Sequence, residues 1–125
     1  MARTYHTKIA AFAADADAKW VDNLLSHSGV PGVSGGTRGV SRRISAAGIR
    51  HIALVHRLNR VAGFSVEAAV ALAERLLRTG ADRAELGAGL ELQIDRQAFE
   101  REVEARIHEA VESIVPARRG RRPKR

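Results

Sequence analysis

The segment at residues 30–44, VPGVSGGTRGVSRRI, cannot form a helix, and it separates two helical stretches of the chain. Its glycines favour turn conformations, which valine and isoleucine residues flank on both sides. This pattern predicts a β-hairpin with Arg38 near its tip and with Arg42 and Arg43 on its return strand. A flexible glycine-rich loop is the alternative. Three arginines in so short a stretch favour a wing that contacts phosphates.

Amphipathic helices are predicted on both sides of this segment, because apolar residues recur at helical spacing between capping residues. The predicted ranges are 7–14, 18–28, 46–61 and 66–78. Asp15 or Asp17 caps the second helix, whereas Ser45 and Ser65 cap the third and fourth. The first two helices and the tight turn between them follow the helix-turn-helix plan.

Residues after 80 predict a different kind of unit. Residues 90–94, LELQI, alternate apolar and polar side chains as a strand does, and Asp95 then caps a helix of about 20 residues that Pro116 ends. Within that helix, Glu102 and Arg106 have the spacing of an ion pair. A lone strand leaves its edges unpaired, and we expect a long amphipathic helix to have little of its own domain to pack on.

Pairing of two chains would give the strand a partner strand and the helix an apolar surface to pack on, so the sequence predicts a homodimer made by this region. The alternative is that the strand and the helix fold back onto the first domain. The predicted interface consists of apolar residues of the strand and of one helix stripe: Leu90, Leu92, Ile94, Phe99, Val103, Ile107, Val111 and Ile114.

The predicted fold class is therefore mainly α, with a winged helix-turn-helix followed by a short strand and an amphipathic dimerisation helix. The predicted division is a domain at residues 1–80, a strand–helix module at 81–116 and a disordered basic tail at 117–125. The 125 residues suffice for one small domain and an appendage.

Charge is sorted along the chain. Residues 1–66 contain nine Lys or Arg and three acids, residues 67–116 contain six and eleven, and the last nine residues contain six and none. A basic front, an acidic middle and a cationic tail indicate one surface that meets a polyanion, most simply nucleic acid. A soluble protein whose charges only keep it in solution is the alternative.

The composition excludes several classes of site. The chain has no cysteine, so disulfides, thiolate zinc sites and cysteine nucleophiles are excluded. The five histidines do not form a metal-ligand set, and no catalytic pattern of residues is present, so we expect no cofactor, no metal and no enzymatic activity. No apolar run approaches the length of a membrane span or a secretion signal, which predicts a cytoplasmic, nucleoid-associated protein.

Residues 39–77, GVSRRISAAGIRHIALVHRLNRVAGFSVEAAVALAERLL, resemble the second half of the MerR-family DNA-binding domain. The end of the family's wing is matched by Arg42, Arg43, Ile44 and Ser45, and the turn before its fourth helix by the GFS-x-E stretch at 63–67. The resemblance covers about residues 5–78 and implies a winged helix-turn-helix that binds DNA. Val40 and Ile44 stand near the family's wing aromatics, and the family's long coil and effector-binding end are replaced by a strand, a helix and a tail.

The helix-turn-helix interpretation puts residues 18–28 in a major groove, with Lys19, Asn23 and His27 on the open face and Trp20 at its edge. Trp20 either packs in the core or contacts the backbone, and we expect partial burial. Asp22 repels phosphate, so it should be turned away or paired with a basic neighbour. The predicted DNA-contacting residues are Lys19, Trp20, Asn23, His27, Arg38, Arg42, Arg43, Arg50, Arg118, Arg119, Arg121 and Arg122.

The tail sequence RRGRRPKR resembles an AT-hook, whose core is Arg-Gly-Arg-Pro, with one extra arginine before Pro123. A basic tail that binds DNA without sequence preference is the alternative, and either would add electrostatic affinity.

Two functions of different class follow from these patterns. The first is a dimeric double-stranded DNA-binding protein, sequence-specific or semi-specific, that acts as a small transcriptional regulator or an accessory, architectural factor. The second is a protein-interaction adaptor or antitoxin-like protein whose strand and acidic helix hold a second protein partner.

Overall fold

The computed structural model of this protein describes residues 3–36 and 40–119, with side chains described to residue 114. The described residues are mainly helical, with five helices and two small antiparallel sheets. In chain order the elements are β1 (Thr4–Tyr5), α1 (Thr7–Ala14), α2 (Ala18–His27), β2 (Val33–Ser34), β3 (Arg43–Ser45), α3 (Ala46–Arg60), α4 (Val66–Thr79), β4 (Arg83–Gly87), β5 (Leu90–Gln93) and α5 (Arg96–Arg119).

The helices begin where polar side chains satisfy their first backbone N–H groups. Asp17 accepts from Lys19 N, Ser45 from Gly48 N and Ser65 from Ala68 N, and Asp95 accepts from Ala98 N at 3.1 Å. The predicted caps are thus confirmed, and the first four helices start and end within one residue of their predicted bounds. The last helix differs, because α5 continues past Pro116 to Arg119.

The predicted hairpin at residues 30–44 is present as β2 and β3, with Val33 opposite Ile44 and Ser34 opposite Arg43. A third strand, β1, adds to the other edge of β3 with Tyr5 opposite Ile44, which places the buried Ile44 at the centre of the sheet. Gly32 has a φ of +87°, and a Cβ there would lie 2.5 Å from Ser45 Oγ. Only glycine therefore lets the chain enter β2 directly beneath the start of α3.

The strand predicted at residues 90–94 has a partner in its own chain, which corrects one premise of the predicted dimer. β5 pairs with β4 in an antiparallel hairpin, with Ala84 opposite Leu92 and Gly87 opposite Leu90. The turn between the strands uses Gly87, Ala88 and Gly89, all with positive φ. The sequence signal for β4 was the alternation of Arg83, Ala84, Glu85 and Leu86 ahead of this turn.

The apolar stripe of α5 also packs within the chain, so the expectation that this helix has little of its own domain to pack on is wrong. α5 lies along α1, and Phe99, Val103, Ile107 and Ala110 are buried in one cluster with residues of α1 and α3. Val111, Ile114, Leu92 and Ile94 are half-buried against the same cluster, whereas Leu90 is exposed. The core thus continues across the boundary predicted at residue 80, and most of the predicted interface is used to hold one chain together.

Contacts of α5 also establish its direction. Near its start, Phe99 lies under the Arg57 guanidinium and Glu102 pairs with Arg57, at the end of α3. One turn later, Arg106 reaches the end of α1 at Phe12. Since α1 and α3 both start from the three-stranded sheet, α5 runs antiparallel to them and its C-terminal end points toward that sheet.

Candidate nucleic-acid interface

The outer face of α2 presents a line of polar side chains. Lys19, Asn23 and His27 are four residues apart and exposed, while Val21 and Leu24 bury the opposite face. His27 Nδ1 donates to the backbone oxygen of Asn23 at 2.8 Å, which orients the imidazole along the helix. Polar groups at this spacing form one continuous polar edge a little over two turns long.

Trp20 is half-buried, as expected, and lies at the edge of this face. Its ring meets the His56 imidazole edge-on, with centroids 4.8 Å apart. The indole also lines an apolar groove of about 310 Å³ together with Leu24 and Val66. Trp20 therefore joins α2 to α3 and α4, and most of its surface serves packing.

His56 is set in a cationic environment. Burial lowers the pKa of His56 below its usual 6.5, the positive charge of Arg60 lowers it further, Asp15 raises it, and Arg57 lowers it again. The imidazole beneath Trp20 is therefore biased toward its neutral form.

Arg42 is anchored to α2. Its guanidinium donates to Asp22 Oδ1 at 2.9 Å and to Ser26 Oγ at 3.1 Å. Its aliphatic part covers Gly36, where a Cβ would lie 2.9 Å from Arg42 Cγ. The predicted pairing of Asp22 with a basic neighbour is confirmed. Arg42, which is predicted as a phosphate contact, ties the start of β3 to α2 through these bonds.

Arg43 has the opposite surroundings. It lies opposite Ser34 on the outer face of β3, is exposed, and makes no side-chain hydrogen bond or ion pair within residues 3–36 and 40–119. Arg42, the preceding residue, holds the start of this strand beside α2. Arg43 is thus an exposed cation of the β2–β3 hairpin without such a partner among the described residues.

The remaining predicted DNA-contacting residues lie outside α2 and the β2–β3 hairpin as the structure describes them. Arg50 is half-buried on the first turns of α3. Arg38, Arg121 and Arg122 lie outside the described residues, and so do the side chains of Arg118 and Arg119, which end α5.

Arg106 has a role that helical spacing did not predict. Its Nε and Nη2 donate to the backbone oxygen of Phe12 at 3.1 and 2.8 Å, and its guanidinium stacks over the Phe12 ring. Nη2 also lies 3.6 Å from Asp15, the left-handed residue that ends α1. Arg106 therefore supports the turn between α1 and α2, and Glu102 pairs with Arg57 instead.

Other kinds of site lack geometric support in the described part of the chain. Among residues 3–36 and 40–119, no three His, Asp or Glu side chains lie close enough together to hold a metal ion. None of the helices described there combines the length and apolar character that a membrane crossing requires.

Comparison with known proteins gives no further assignment: no family model, no curated protein and no solved structure matches this chain.

Proposed function

We propose that this protein binds double-stranded DNA through a winged helix-turn-helix formed by residues 3–79. α2 would enter the major groove, and the β2–β3 hairpin would lie along the phosphate backbone as the wing. The observation that carries the proposal is the bond of Arg42 to Asp22 and Ser26, which holds the start of the hairpin's return strand against α2, the helix with the exposed line of Lys19, Asn23 and His27. Arg43, the next residue, is exposed.

The chemistry of these side chains matches the two tasks of a DNA reader. Asn23 can donate to and accept from adenine, and Lys19 can donate to guanine or phosphate. Arg43 on the wing supplies a phosphate or minor-groove contact, which orients the protein on the duplex. The MerR-like pattern at residues 39–77 supports the same arrangement, as does the basic segment at 117–125.

Most of the acidic side chains lie outside residues 1–66. Glu100, Glu104 and Glu109 lie on α5, which packs on the flank of α1 and carries the chain's main acidic run. From Arg96 to Ile114 this helix has five acids and three arginines, whereas residues 1–66 have nine Lys or Arg and three acids, which favours a polyanion on the α2–wing side. A small regulator or an accessory DNA-binding protein is the biological role that fits such a surface.

The direct test is the affinity of the full chain for labelled duplex DNA, measured by fluorescence anisotropy across about 50–200 mM salt. We expect binding that weakens steeply with salt. Lys19→Gln and Arg43→Gln should each lower the affinity. Arg101→Gln removes the same charge from the exposed face of α5 and should change it little, which makes it a matched control.

No binding at either end of the salt range would refute the proposal and favour the adaptor function. Equal losses in Arg101→Gln and Arg43→Gln would show a diffuse charge effect without a defined face.

A further inference from the structure

Two arginines of α5 hold the C-terminal ends of two other helices. Arg96 donates from Nη1 to the backbone oxygens of Leu76 and Ala81, both at 3.0 Å, at the end of α4. Arg106 donates from Nε and Nη2 to the Phe12 oxygen, at 3.1 and 2.8 Å, at the end of α1. A cation is favoured at such an end, because the last carbonyl groups of a helix lack partners within it.

The helix end that Arg106 holds is also the turn of the proposed helix-turn-helix. The N–H group of Asp15 donates to the Phe12 oxygen at 3.1 Å, and that of the next residue donates to the Ala11 oxygen at 2.9 Å. This pattern usually places glycine where Asp15 stands, because the residue there is left-handed, and Asp15 has a φ of +59°. Contacts from outside the turn therefore contribute to its shape, and Arg106 Nη2 lies 3.6 Å from Asp15 Oδ1.

The position of α2 depends on this turn. Two residues separate Asp15 from the first residue of α2, so the backbone angles of the turn set the direction of the helix. Trp20, in the first turn of α2, lies against His56 of α3, with ring centroids 4.8 Å apart. Lys19, beside Trp20, is the first residue of the exposed polar line. A change in the turn would therefore move Lys19 and Trp20 together.

We propose that Arg106 is a positioning residue for DNA binding. From α5 it fixes the turn before α2 and thereby the angle at which α2 presents Lys19, Asn23 and His27. This inference rests on the proposed DNA-binding function, and it adds that residues 3–79 do not suffice for that function, because α5 completes the helix-turn-helix from outside. In this role Arg106 itself does not contact DNA.

Arg96→Gln is the matched control for Arg106→Gln in the full chain. The side chains of Arg96 and Arg106 are 23% and 28% exposed, and each gives two hydrogen bonds to backbone oxygens. Each also lies beside one acid, Glu100 at 3.2 Å or Asp15 at 3.6 Å. The two substitutions remove the same charge and similar contacts, so they should lower the urea midpoint by similar amounts.

The affinity for labelled duplex DNA should separate the two variants. In Arg106→Gln it should fall about tenfold, the equivalent of roughly one lost base contact, because α2 no longer meets the duplex at the same angle. In Arg96→Gln it should change little, because that side chain holds α4 and does not contact the turn before α2.

The fluorescence of Trp20 supplies a readout of the position of α2 without DNA, because it is the only tryptophan of the chain. Acrylamide quenching of the folded protein should increase in Arg106→Gln, since the indole would move away from His56, and should match the wild type in Arg96→Gln. Arg106→Lys keeps the charge but cannot form the forked pair of bonds to Phe12, so it should give intermediate quenching and affinity.

The two readouts distinguish failure of this proposal from failure of the DNA-binding function. A wild type that binds no duplex DNA refutes the function, and the quenching alone then decides whether Arg106 positions α2. Unchanged quenching in folded Arg106→Gln overturns the proposal, and so do equal losses of affinity in Arg96→Gln and Arg106→Gln. If Arg106→Gln does not fold, Arg106→Lys decides, and quenching equal to that of the wild type overturns the proposal.

Discussion

Arg42 and Arg43, the residue before β3 and its first residue, have contrasting surroundings. Replacing each by alanine separates an anchoring role from a DNA-contacting role. The Arg42 side chain is 20% exposed and bonds both Asp22 and Ser26 on α2. Arg43 is exposed and points away from that contact. The same substitution at the two positions should therefore have effects on different quantities.

The structure sets the expected size of the stability effects. Arg42→Ala removes an ion pair whose Asp22 partner is 55% exposed, worth roughly 0.2–1 kcal/mol, and a hydrogen bond to Ser26 worth about 0.5–1.5 kcal/mol. We expect a loss of about 1 kcal/mol in the free energy of unfolding. Arg43→Ala, on an exposed strand face, should change that free energy by no more than about 0.5 kcal/mol.

Urea unfolding and a salt series of DNA affinities together test this reasoning. Arg43→Ala removes one phosphate contact, so the slope of log affinity against log salt should become shallower by about 0.9. Arg42→Ala should lower the urea midpoint and leave that slope unchanged.

Asp22→Asn is the control for the anchor, because its amide oxygen can still accept from Arg42 while the negative charge is lost. Its stability should lie between those of the wild type and Arg42→Ala. The reasoning fails if Arg42→Ala keeps full stability and lowers the salt slope as much as Arg43→Ala does. That result would mean that Arg42 leaves Asp22 and contacts phosphate.

Three further outcomes are expected. Ile107→Ala should lower the free energy of unfolding by about 2–5 kcal/mol, because Ile107 is buried in the single chain. Urea denaturation that shows no loss would contradict the position of Ile107 in the core of one chain. The lowered pKa of His56 means that its neutral form is favoured by folding, so stability should be full above about pH 6.5 and fall as the pH drops through the folded pKa. Melting curves across pH 5–7 should show this loss in the wild type and a weaker one in His56→Gln. Removing residues 117–125 should weaken DNA binding and flatten its salt dependence, and an unchanged slope in anisotropy titrations would rule out phosphate contacts by the tail.

The local elements were predictable because their signals are local. Ser45, Ser65, Asp17 and Asp95 cap their helices through bonds to residues two or three positions away, and a sequence displays such spacing directly. The strands β2 and β3 were predictable for a similar reason, since glycines restrict where the chain can turn. β1 was missed because two residues, Thr4 and Tyr5, are too few to show an alternation.

The candidate site was predictable only in part. Helical spacing was enough to place Lys19, Asn23 and His27 on one exposed face. The bond between Arg42 and Asp22 joins residues 20 positions apart, and its formation depends on how the wing folds back on α2. The sequence indicated that Asp22 should be turned away or paired with a basic neighbour, because an unpaired carboxylate repels phosphate. It did not indicate which of several arginines would form the pair.

The position of α5 is the largest departure from the sequence-based expectation, and its physical cause lies in α1. An amphipathic stripe indicates that a helix needs an apolar partner, but it does not indicate which chain supplies that partner. α1 buries Ala10, Ala11, Ala13 and Ala14, and such small side chains let α3 and α5 approach it closely. α1 is too short to form a stable helix alone, so it requires tertiary packing. Arg106 bonds the Phe12 carbonyl group in the last turn of α1, across 94 positions of sequence, and so links α5 to the turn before α2. The alanine run in α1 was therefore a sign that α1 packs closely against other helices, and the structure shows that α5 is one of them.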